Sequence, residues 1–174
     1  MENMGQLLFG ISGGNVASID VEVRGEIAAH DVSVLKLAGL KGFYQNAVTE
    51  QVSYVNAPLL AESRGVEVRL SVDSKSEEYR NVTTIRAGLQ DGSVYSVSVT
   101  VIGPKLIKKI VTINGYDIDL AVAKHMVLMI YSDRPGVVAI YGKAFAENNI
   151  NIAAMQIARN SKGGKALSII TVDS

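Results

Sequence analysis

Residues 126–159, MVLMIYSDRPGVVAIYGKAFAENNINIAAMQIAR, with 163–173, GGKALSIITVD, decide how the end of this chain is read. MVLMIY is a short apolar strand, and the turn residues of SDRPG stop it. From about Gly136 to Asn148, Val137, Ile140, Tyr141, Ala144 and Phe145 recur at spacings of three and four, the stripe of a helix with one face on a sheet. NIAAMQIAR and KALSIITV, divided by Gly163-Gly164, predict two more strands. The order is therefore strand, helix, strand, strand.

Upstream, the middle of the chain is β-rich, with runs at VEVRLSV near Val66, NVTTIRAGL and SVYSVSVTVIG. Asp91-Gly92 between the last two predicts a hairpin closed by a type I′ turn, which needs positive φ at both central residues. Asn114-Gly115, between KLIKKIVTI and YDIDL, predicts a second. Earlier still, Ile19, Val21 and Val23 alternate with Asp20, Glu22 and Arg24, the period of a strand with one wet face. Asp31 is a candidate N-cap for a helix running into GLKG, and Asn56 for a second over VNAPLLAESR, with Pro58 in its first turn. Met4, Leu7, Leu8 and Ile11 predict a short lead-in helix that stops at Gly13-Gly14.

The reading is thus α+β: a lead-in helix and linker over 1–14, a mixed helix and antiparallel-sheet domain over 15–122, and a smaller domain over 123–174. Charge supports a boundary near residue 120, with eleven basic and fourteen acidic residues up to it and six and three after it. Over the whole 174 residues the formal charge is zero, so no basic surface for a phosphate backbone is expected, and nucleic acid is not an expected partner. The absence of cysteine excludes disulfides, thiolate metal sites, iron–sulfur clusters and a cysteine nucleophile. No apolar run approaches the ~20 residues of a membrane span, and MENMGQLLFG lacks a signal-peptide pattern. A cytoplasmic protein that binds no membrane is expected.

Catalytic raw material is thin. The two histidines, His30 and His125, stand at element edges without partnered carboxylates, and no metal site is expected. ISGGN precedes a strand where a phosphate-cradling loop would follow one, and reads as a linker. Lys105, Lys108 and Lys109 form the densest basic cluster. They read either as lysines guarding an edge strand or, through Lys109, as an anion site at the junction of the domains. Asp117 and Asp119 share one strand face and read as a solvated face.

SDRPGV is more informative. It places an N-cap at or near Asp133, with unsatisfied backbone N–H groups at Gly136, Val137 and Val138. Such a helix start attracts a carboxylate, and Asp133 an ammonium or hydroxyl. A free amino acid carries both groups. The plainer alternative is that Asp133 caps the helix and binds nothing.

Residues 130–159 with 163–173 resemble the ACT domain at the C-terminus of the D-3-phosphoglycerate dehydrogenase family. IDVEVRGEIA, the segment from GLKGFYQNAV to SRGVEV, and DGSVYSVSVTVIGPKLIKKIVTINGYDIDL resemble the intervening domain of its long form. The resemblance implies a ferredoxin-like βαββαβ ACT fold that pairs side by side into a homo-oligomer. It also implies L-serine as effector, binding at the dimer interface as feedback inhibitor of NAD-dependent oxidation of 3-phosphoglycerate to 3-phosphohydroxypyruvate in serine biosynthesis. By motif, the effector positions are Tyr131, Asp133 and Asn151, with backbone N–H groups of Gly136 and Val137; Asn151 would come from the neighbouring subunit.

The chain shows βαββ and ends at Asp173-Ser174, where the family continues through a second helix and a fourth strand, so the ACT domain reads as shortened. The family's catalytic arginine, glutamate and histidine have no counterparts, so no catalytic residue is assigned, and whether the chain is enzymatic stays open. No cofactor is expected in the chain itself, with NAD in the parent enzyme. Ala121 and Thr171 stand where further cations of the family's anion site would be expected, which leaves Lys109 without its usual company. Two other readings are a free-standing ACT amino-acid-sensing or oligomerisation module and a subunit of an iron–sulfur L-serine dehydratase. The lack of a GPSSSHT-like segment disfavours the second.

Overall fold

The computed structural model describes residues 1–161 and 163–173; Ser174, the last residue of the expected second domain, lies outside them. The chain forms two compact units, Met1–Gly115 and Tyr116–Ser174. The first carries helices α1 (Glu2–Ser12), α2 (Ser33–Tyr44) and α3 (Ala57–Ser63) with strands β1 (Ser18–Gly25), β2 (Glu67–Asp73), β3 (Asn81–Gly88), β4 (Val94–Ile102) and β5 (Ile107–Ile113). The second carries β6 (Tyr116–Ala121), β7 (Met126–Ser132), α4 (Val137–Glu147), β8 (Ile152–Arg159) and β9 (Lys165–Val172). The helix read as a lead-in is part of the first unit.

The sheet of the first unit has the order β2-β1-β3-β4-β5, and the antiparallel sheet of the second has the order β7-β9-β8. The first is mixed, because β1 pairs parallel with β2 and antiparallel with β3. Parallel neighbours need a long crossover, and α2 with α3 supplies it. The alternation in β1 points Ile19, Val21 and Val23 into the core beside Ile85, Val97 and Ile113, all fully buried. On the other face Arg86 pairs with Glu22 at 2.8 Å, and Ser98 joins the hydroxyls of Thr84 and Thr112 at 2.9 and 2.7 Å.

Helices α1 and α2 cross in close contact. A Cβ at Gly42 would lie 1.9 Å from the Glu2 carbonyl oxygen, and one at Gly5 would lie 2.1 Å from that of Gly39. Only glycine lets these backbones approach so nearly. The crossing carries Leu8, Leu40 and Phe43 into full burial, with Phe9 and Phe43 edge to face at 5.4 Å.

Turns and caps depart from the sequence reading in instructive ways. Asn114 and Gly115 both have positive φ, 49° and 76°, as a type I′ turn requires. At Asp91-Gly92 only Gly92 does, φ 84°, and the Leu89 N–H bonds to the Ser93 carbonyl, so three residues close that hairpin. The extra residue relieves Asp91 of a left-handed conformation; its carboxylate instead accepts from the Ser93 N–H at 2.9 Å. Asp31 accepts from the Ser33 N–H at 2.9 Å at the mouth of α2. Asn56 precedes α3 but turns back to accept from the Ser53 N–H at 2.7 Å, leaving that helix without a side-chain cap.

In the second unit α4 lies on one face of the three-stranded sheet, and Tyr141 is its one buried residue. The central strand β9 is buried from Ala166 to Thr171. Among the described residues no helix is long and apolar enough to cross a membrane.

Candidate functional site

Strand β7 ends at Ser132, and the next residues turn into α4. The expectation that Asp133 caps this helix is corrected: Gly136, at φ 88°, is the N-cap, and no side chain caps α4. Asp133 is held elsewhere. Its N–H donates to the Gly164 carbonyl at 2.8 Å, and its carboxylate accepts from Arg159 Nη1 at 3.2 Å. The reason lies in the sheet, since pairing of β8 and β7 with β9 brings Arg159 and Ser132 to the same end, opposite Ala166 and Lys165. Arg159 escaped the sequence reading because its partner is distant in the chain; its signal was a lone cation closing the apolar run IAAMQIAR.

Gly136 takes a conformation that L side chains rarely adopt, which opens the first turn of α4. The N–H groups of the first turn of any helix have no partner four residues back. Gly136 and Val137 form the start of α4, three and four residues after the half-buried Asp133.

Tyr131 shares a sheet face with Ser168 and α4. Its hydroxyl and that of Tyr141 both reach Ser168 Oγ, at 3.1 and 3.2 Å, and the two rings lie 6.4 Å apart. Burial raises the Tyr141 hydroxyl above the usual phenol range, so it acts as a neutral donor and acceptor. Neither Tyr141 nor Ser168 was singled out in sequence as polar; Tyr141 read only as part of the apolar stripe.

Asn151 lies at the opposite end of the sheet, where Ile152 faces Val172. Its amide donates to Asp173 Oδ2 at 2.7 Å. The strands between it and Ser132 rise ~3.3 Å per residue, so the two ends are separated by about 20 Å. Tyr131, Asp133, Gly136 and Val137 thus follow one another around the Ser132 end of β7, whereas Asn151 lies at the other end of the sheet.

Lys109 sits in β5 opposite Thr100, and Lys108 next to it faces the other side of the sheet, opposite Val101. Lys105 is in the turn before β5 rather than in the strand. His30 and His125 are exposed, and among the described residues no three histidine, aspartate or glutamate side chains converge as a metal site would require.

The model of the D-3-phosphoglycerate dehydrogenase intervening domain matches residues 1–114. The chain belongs to the D-3-phosphoglycerate dehydrogenase intervening-domain family. The match covers nearly the whole first unit, which ends at Gly115. The chain is 35% identical over 170 residues to D-3-phosphoglycerate dehydrogenase of Mycobacterium leprae, covering 98% of this chain and 32% of that protein. It is 39% identical over 156 residues to that of Mycobacterium tuberculosis (90% and 30%) and 33% identical over 158 residues to that of Bacillus subtilis (91% and 30%). The chain spans about a third of the length of these curated relatives. Tyr131, Asp133, Gly136, Val137 and Asn151 lie beyond the segment matched by the intervening-domain family.

Proposed function

We propose that the chain is the regulatory region of a D-3-phosphoglycerate dehydrogenase, in which residues 123–174 form an ACT domain binding L-serine where two copies meet. The observation that carries the reading is the pairing of an open helix start at Gly136 with the Asp133 carboxylate at one end of a β7-β9-β8 sheet. That strand order with one helix on the face is the arrangement of the first three strands of a ferredoxin-like βαββαβ unit. The α-carboxylate of serine meets the Gly136 and Val137 N–H groups, and its ammonium meets Asp133 in exchange for Arg159. The far position of Asn151 supports a second copy, since only another chain turned end for end brings an Asn151 to this corner. Exposed apolar side chains at Ile130, Val138, Ile140, Met155 and Ile157 are available to such a contact.

A ligand that bridges two copies favours one arrangement of them, and a coupling of ~1 to 3 kcal/mol would carry inhibition to a distant catalytic domain. Oxidation of 3-phosphoglycerate with NAD belongs, in this reading, to the rest of the enzyme. The residues here do not fit a dinucleotide: Gly13-Gly14 ends a helix and precedes β1, whereas a pyrophosphate loop follows a strand. No step through NAD is assigned to this chain.

Calorimetric titration of L-serine into the full-length enzyme carrying this region tests the proposal. Saturable heat that is lost in Asp133→Ala, with unchanged unliganded activity, is the expected result. A wild-type enzyme that takes up no serine at millimolar concentration, or an Asp133→Ala variant that binds as well, overturns it.

A further inference from the structure

Strand β2 ends the sheet of the first unit. It pairs with β1 along one side, in unbroken register from Glu67 to Asp73, and among the described residues no strand pairs with its other side. The Glu67 N–H donates to the Ala17 carbonyl at 2.9 Å, ahead of β1. Successive strand residues turn their N–H and C=O groups to alternate sides, so those of Val68, Leu70 and Val72 face the free edge. Natural edges are blunted by proline, by a bulge or by a charge pointing inward. EVRLSVD has no proline, its register has no bulge, and its inward residues are Val68, Leu70 and Val72, beside the fully buried Ile19, Val21 and Val23. Val72 is nonetheless 54% exposed.

The charges of β2 lie on the other face, where Glu67, Arg69, Ser71 and Asp73 run in the order minus, plus, neutral, minus. Two copies of this strand can pair antiparallel about a two-fold axis, a contact that closes on itself. Axes at Arg69, Leu70 or Ser71 pair at least five residues of the strand, and each fixes every partner. An axis at Arg69 sets that arginine against itself, and one at Leu70 sets Glu67 against Asp73. An axis at Ser71 sets Arg69 against Asp73 on both sides of it, with Leu70 against Val72 on the inward face. Opposite charges across a strand pair stabilise it and like charges destabilise it.

We propose that two copies of the chain join edge to edge through β2, antiparallel about a two-fold axis at Ser71. Leu70 of each copy exchanges both backbone hydrogen bonds with Val72 of the other, and the four side chains cover one another. Arg69 and Asp73, held within their own chain by Glu67 at 2.6 Å and Arg24 at 3.6 Å, gain a partner across the axis. Helix α3 does not obstruct the contact. The Val66 N–H bonds to the Ala61 carbonyl at 2.9 Å, so α3 sits at the start of β2, and the axis carries its two copies to opposite ends. The paired stretch is short, so the association is weak beside a standard interface. It belongs to the first unit and is distinct from the contact proposed for the second.

The chain has no cysteine, so a single introduced one reports the register. Ser71 meets its own copy in a non-hydrogen-bonded pair, with Cα atoms about 4.5 Å apart, within reach of a disulfide. In oxidised glutathione, Ser71→Cys is expected to form a disulfide dimer at least about tenfold faster than Arg69→Cys, whose two copies stand four residues apart in this register. Adding Asp73→Arg to Ser71→Cys is expected to slow the reaction about tenfold, and adding Arg69→Asp as well is expected to restore it. Linking of Ser71→Cys no faster than Arg69→Cys overturns the proposal and leaves the edge to a strand of another protein. A mixture of Ser71→Cys and Arg69→Cys that links faster than Ser71→Cys alone marks an axis at Leu70 and overturns it too. So does a rate that Asp73→Arg leaves unchanged.

Discussion

Glu2, in the first turn of α1, gathers two partners from distant parts of the chain. Tyr54 donates to Oε1 at 2.5 Å, and the Lys41 ammonium lies 3.0 Å from Oε2 and 5.0 Å from the centre of the Tyr54 ring. The Tyr54 hydrogen bond, and then that of Lys41, hold the Glu2 carboxyl below the usual carboxylate range. A carboxyl with a depressed folded pKa lends stability that is present above its unfolded pKa and lost as pH falls through the folded value. Tyr54→Phe is therefore expected to move the Glu2 titration upward, towards the ordinary glutamate range, and to cost a little stability at pH 7 but none once Glu2 is protonated. Carboxyl NMR titration with chemical denaturation at pH 7 and pH 3 checks this; an unmoved Glu2 midpoint would sink it. The contribution stays small because the groups are exposed to water.

Among the elements, α4 is the one whose start matters most to the proposed site. A Cβ at Gly136 would touch nothing within 4 Å, so any penalty on substitution comes from backbone conformation alone. Gly136→Ala is expected to destabilise the second unit by about 1 kcal/mol, the cost of a left-handed residue with a side chain, and to weaken serine binding with it. Urea unfolding monitored at Tyr141 measures the first effect; an unchanged midpoint would show that the turn relaxes to another form. Much of this level was legible in sequence, because strand alternation at Ile19–Val23, the helical stripe from Val137 to Phe145 and the Asn114-Gly115 turn are local patterns. What escaped depends on distant partners. Asp133 read as a cap because capping is a local rule, yet Arg159 reaches it only after β9 pairs both neighbouring strands. Asp91 and Asn56 likewise found hydrogen bonds that local turn and cap rules did not rank first. Tyr44 and Arg64 carried no motif, and only the fold sets one over the other.

At the scale of the whole molecule the two units differ in how deeply their helices are set. Six residues of α2 are buried, whereas α4 buries only Tyr141 and leaves Val138 42% and Ile140 64% exposed. Local stability follows buried apolar contact. Amides of α4 are expected to exchange hydrogen at least about tenfold faster than those of α2, and equal protection in the two helices would contradict this. The parallel pairing of β1 with β2 has a further consequence, in time rather than in energy. Ser18 lies opposite Glu67, with α2 and α3 between them in the chain. Every other neighbour of β1, β3 and β4 in that sheet is antiparallel. The β3–β4 hairpin can close locally, but β2 has no place to dock until the crossover helices have found theirs. β2 is therefore expected to dock after that hairpin, and until then β1 presents an unpaired edge to any other extended segment nearby.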